Sequence, residues 1–103
     1  MSKQLPATCD NAYMNIQITS RQNGETRVYL NGELFEKFTS GSGVLPKSTI
    51  CIGDLRLNRG LQYIGAIYNF ALYAVPIDED ANGNIDTAPI LQNWNYTKSQ
   101  LGI

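Results

Sequence analysis

Two Asn-Gly dipeptides, Asn23-Gly24 and Asn31-Gly32, constrain this chain more than any other feature. The central positions of a type I′ turn need positive φ, which Asn and Gly tolerate best, so each pair predicts a tight reversal between antiparallel strands. The flanking residues agree. From Tyr13 onward Met14, Ile16 and Ile18 alternate with Asn15, Gln17 and Thr19, the period-two pattern of a half-buried strand. Val28 and Leu30 continue the apolar, inner face on the returning strand, and Leu34 and Phe38 are spaced for one face of a third.

Residues 1–12 lack periodicity and contain Pro6, which reads as an arm and leaves 13–103 as one domain. Thr39-Ser40-Gly41-Ser42-Gly43 has no side-chain mass to bury and reads as a loop. Ser48–Gly53 reads as a strand with Ile50 and Ile52 on one side, followed by a polar loop over Asp54–Gly60. Leu61–Ala74 is the longest extended segment. Ile64, Ala66, Tyr68, Phe70 and Leu72 share one face, and Tyr63, Gly65, Ile67, Asn69 and Tyr73 the other, which suits a central strand covered on both sides. Asp86-Thr87-Ala88-Pro89 reads as a helix start, with a capping side chain and Pro in the first turn. Ile90, Leu91 and Trp94 recur at helical spacing, with Trp94 expected to pack on the sheet, and Gly102 closes the helix.

The order of these parts is a strand ending in Tyr29-Leu30-Asn31-Gly32, then Ile52-Gly53, then Gly65-Ala66-Ile67-Tyr68-Asn69-Phe70-Ala71-Leu72-Tyr73, an acidic loop and a short helix. It resembles the C-terminal part of a laminin-G-like, concanavalin-A-like jelly roll, over roughly residues 13–101. The resemblance implies an all-β, antiparallel sandwich with one short C-terminal helix, and it covers only the second half of the family pattern. Either a second copy or a partner chain supplies the missing sheet, or the chain is a smaller relative that closes on itself. A homo-oligomer or larger assembly is the favoured expectation. The resemblance also implies recognition of a glycan or a protein partner through sandwich-end loops. The rival expectation is a structural virion component, a phage decoration, fibre or tail protein with protein contacts alone.

Eight basic residues against nine acidic ones leave a net charge of -1, which gives no cationic field for nucleic acid or an anionic membrane. No apolar run reaches membrane-spanning length. Met1-Ser2-Lys3-Gln4-Leu5-Pro6 is too polar for a secretory leader, so the expected location is a virion or an extracellular surface reached without a signal peptide of its own. Cys9 and Cys51 pair only if the arm lies beside the Ile50 strand; otherwise both are free thiols.

The chain has no histidine, which removes the commonest general base and zinc ligand. Glu33 and Glu36 flank Phe35 and are expected on opposite faces, so they form no acid pair, and no enzymatic activity is expected.

Two sets of candidate site residues follow. Asp54, Arg56, Asn58 and Arg59 in the polar loop, with Tyr63 after it, are the expected ligand-binding set, in which a ring stacks and polar groups hold hydroxyls or acids. Tyr13, Tyr29, Tyr73 and Tyr96 are further rings. The second set is Asp78, Asp80, Asn82, Asn84 and Asp86, which with Gly83 and Ile85 matches much of an EF-hand-type calcium loop. Its twelfth position is Pro89 in place of the bidentate Glu, and no helix is expected before it. Calcium is therefore weighed against a plain solvated turn.

Overall fold

Three antiparallel strands and one C-terminal helix make up the regular structure of the computed structural model, which describes residues 6, 12–21, 23–39, 66–73 and 75–103. Strands β1 (Ile16–Ser20), β2 (Glu25–Leu30) and β3 (Glu33–Thr39) form one sheet in the order β1-β2-β3. Helix α1 spans Ala88–Leu101. A second sheet, and so the full sandwich, is not among the described residues.

The two Asn-Gly turns differ. At the second, Asn31 (φ 52°) and Gly32 (φ 83°) are both left-handed, as a type I′ reversal requires. At the first only Gly24 is (φ 85°); its N–H donates to Arg21 O at 2.8 Å, and Arg21 N–H donates to Glu25 O at 3.3 Å. In place of the expected type I′ turn, the Gly24-to-Arg21 bond closes a turn that ends on one left-handed glycine. The Asn23 side chain explains the change, because its Oδ1 accepts the Glu25 N–H at 2.9 Å.

Register sorts the side chains by face. Ile16, Ile18 and Ser20 pair with Leu30, Val28 and Thr26, while Gln17 and Thr19 pair with Tyr29 and Arg27. The alternation over 14–19 is as expected, but the side that the rest of the chain covers is the polar one. Thr19 and Tyr29 are buried there, whereas Ile16 and Ile18 are 48% and 66% exposed. The reason is partner supply: Gln17, Thr19 and Tyr29 all find hydrogen-bond partners in residues 78–90.

A bulge between Val28 and Tyr29 shifts the β2–β3 register. Leu34 then lies opposite Tyr29 and Phe38 opposite Thr26, so they do not share a face as expected. The same slip sets Glu33 and Glu36 against Leu30 and Val28, on one face rather than two.

Helix α1 starts and stops close to the expected points. Thr87 is its N-cap without a side-chain cap bond; the Ala88 N–H is instead taken by Asp86 Oδ1 at 3.1 Å. Gly102 ends it at φ 71°, its N–H donating to Lys98 O. Ile90 is fully buried, and Trp94 is half-buried with Lys98 Nζ 5.5 Å from its ring. A Cβ on Gly32 would sit 3.0 Å from Leu91 Cδ1 and 3.1 Å from Trp94 Cδ1, so the β2–β3 turn is the seat of the helix. No helix among the described residues is long and apolar enough to cross a membrane.

Residues 66–73, the described part of the expected central strand, form no strand. Their large side chains are exposed: Ile67, Tyr68, Phe70, Leu72 and Tyr73 each keep more than half of their surface. An extended segment becomes a strand only beside another, and the described sheet stops at β1 and β3. Residues 1–5 and 7–11, the expected loop from Ser40 on, the Ser48–Gly53 strand and both cysteines lie outside the described residues.

Candidate recognition surface

One buried acid organises the covered face. Asp78 has no exposed surface. Its Oδ2 accepts from Thr19 Oγ1 at 2.8 Å and from Tyr29 OH at 2.7 Å, and its Oδ1 accepts from Arg21 Nη2. The same guanidinium donates through Nε to Glu79 Oε1 at 2.6 Å and through Nη1 to Glu25 O at 3.2 Å. A buried carboxylate is tolerable only with such partners. Burial works to raise the Asp78 carboxyl, but bonds from Tyr29, Arg21 and Thr19 outweigh it and hold the group below the usual carboxylate range. Burial, then the bond to Asp78 and its charge, push the Tyr29 phenol up to about 12.

This lock ties the segment before α1 to the sheet. Beyond it the chain makes a small hairpin, with Glu79 bridged to Ile85 and Asp86 N–H donating to Asp78 O at 2.8 Å. Asp80 Oδ1 accepts the N–H groups of Asn82 and Asn84, both at 2.9 Å, and Gly83 turns at φ 80°. Of the expected calcium set, then, Asp78 has both oxygens on protein donors, while Asp80 and Asp86 each give one oxygen to backbone N–H groups. Asn82 and Asn84 are exposed. Among the described residues no three His, Cys, Asp or Glu side chains gather as a metal-holding group.

A second polar cluster fixes α1. Gln17 Nε2 donates to Asn15 Oδ1 at 2.8 Å and to Ile90 O at 3.0 Å, and Asn15 Nδ2 donates to Asn93 Oδ1 at 3.0 Å. Gln17 Oε1 is buried without a hydrogen-bond partner, a cost of about 1 kcal/mol or more. Next to this anchor, and sharing Asn93 with it, a shallow groove of about 550 Å³ is lined by Tyr73, Ile77, Pro89, Gln92, Asn93 and Tyr96. Tyr73 and Tyr96 are 58% and 67% exposed, unlike Tyr29, whose ring is packed inside the sheet face.

Asp54, Arg56, Asn58, Arg59 and Tyr63, the expected ligand-binding set, lie outside the described residues. Sequence reasoning missed Arg21 and Thr19 as partners of Asp78, which lie 57 and 59 positions away. It also did not single out Gln92 and Asn93 of the groove. The one available signal was the arginine directly after an alternating strand, facing an acid-rich loop elsewhere in the chain.

No family model, curated protein or solved structure matches this chain. Its own geometry carries the functional argument.

Proposed function

We propose that this chain is a non-catalytic binding module that works inside an oligomer or larger assembly. In this reading the described sheet and helix belong to a laminin-G-like, concanavalin-A-like jelly-roll sandwich, completed by another copy or a partner chain. The observation that carries it is the exposed apolar run of Ile67, Tyr68, Phe70, Leu72, Tyr73 and Val75. Scattered exposed apolar residues are ordinary, but so many within nine positions suit a contact surface. The uncovered Ile16 and Ile18 on β1 support the same reading. A protein partner is favoured over a glycan here, because a long apolar run gains most from a surface that excludes water. A virion or other outer surface remains the proposed location.

Native mass measurement on the wild type and a Phe70→Ser/Leu72→Ser variant tests this. Assembly of the wild type, lost in the variant, is expected. A wild type that stays monomeric at high concentration overturns the assembly reading. Binding on a glycan array, compared with calcium and with chelator, would favour the glycan reading instead. For the hairpin at 78–86 we propose a strap held by protein donors, with calcium as its rival occupant.

A further inference from the structure

We infer that the groove between α1 and Tyr73 takes a proline-rich peptide segment in the polyproline II conformation. The inference rests on the binding-module reading and names a partner chemistry for it. Pro89, Gln92, Asn93 and Tyr96 follow one another at helical spacing along one side of α1. From Pro89 to Tyr96 that side runs about 10 Å at 1.5 Å per residue. One turn of a polyproline II helix, three residues, runs about 9 Å.

The lining chemistry points the same way. Tyr73 and Tyr96 offer open aromatic faces, and Ile77 and Pro89 add aliphatic surface, which suits pyrrolidine rings. A polyproline II segment has no internal hydrogen bonds, so its carbonyl groups need outside donors. Asn93 Oδ1 accepts from Asn15, and the N–H groups of the same amide are donors that can meet such carbonyls. Gln92 adds a second amide, exposed and with no side-chain bond among the described residues. Among the described residues no charged side chain lines the groove, which matches an uncharged segment.

The test titrates acetylated, amidated decaproline against the intact chain while backbone amide signals of residues 89–96 are followed by NMR. Methyl glucoside and methyl galactoside are titrated in parallel. Decaproline is expected to shift those signals, and Tyr96→Ala to weaken the response about five- to tenfold, with the melting temperature unchanged. The proposal falls if decaproline moves nothing there, if only the glycosides do, or if Tyr96→Ala binds as well as wild type. An assembling chain that ignores decaproline sinks the peptide site alone; a monomer that ignores it sinks both readings.

Discussion

The strap around Asp78 and the run over 66–73 reverse the usual sorting of side chains. In the first, a carboxylate, a guanidinium and two hydroxyls are buried together, and in the second, aromatic and aliphatic groups stand in the open. Polarity did not decide which went inside. Partners did: the Asp78 carboxylate meets a donor at each oxygen, while the apolar run has no strand beside it among the described residues. Burial of a polar group costs several kcal/mol only when its bonds go unmade.

Breaking the buried side should have the largest effect. Asp78→Ala leaves Arg21, whose side chain is 9% exposed, without its buried counter-charge, and should cost about 3 kcal/mol in a urea melt. A loss under 1 kcal/mol would mean that water replaces the lock easily.

The pH profile sharpens the same point. Because the folded Asp78 carboxyl lies below its unfolded value, its contribution is complete above the ordinary range, near pH 4, and drains away as pH falls through the lowered folded value. Tyr29 works in the opposite sense: its raised phenol stabilises below its unfolded value and loses that contribution as pH climbs towards about 12. Asp78→Asn should therefore flatten the acid limb of a stability curve, and Tyr29→Phe the alkaline limb. Unchanged limbs would detach the lock from folding.

Two glycines give a smaller, paired test. Gly32 and Gly83 share a left-handed backbone, but a Cβ meets Leu91 and Trp94 at the first and open space at the second. Both alanine variants should lose about 1 kcal/mol to the backbone, with Gly32→Ala losing more because the helix must shift. Equal losses would mean that α1 sits loosely on its seat.

The smallest effect belongs to the apolar run. Phe70→Ser should change monomer stability by less than about 0.5 kcal/mol in the same urea melt. A larger loss would show that this segment is packed in solution after all.

How legible this was depended on range. Asn31-Gly32, the alternation from Met14 to Thr19 and the stop at Gly102 act through neighbours in sequence, and a reader of the chain can find them. The lock cannot be read so, since an arginine after a strand and an aspartate in a turn look like solvated residues until folding closes a separation of 57 positions. The β2–β3 bulge is equally silent, and it redirects Leu34 and Phe38. The run from Ala66 to Tyr73 misled because apolar residues on both faces predict a covered strand, whereas coverage is a property of neighbours and not of the run itself.

The chain order of the lock has a consequence for synthesis. Thr19, Arg21 and Tyr29 emerge well before Asp78, so a growing polypeptide can close its hairpins within microseconds with Arg21 held by Glu25 of the same hairpin until the buried acid arrives. A ribosome paused between Arg21 and Asp78 would therefore expose an early sheet that lacks its anchor. The early sheet becomes secure only once Asp78 has been made.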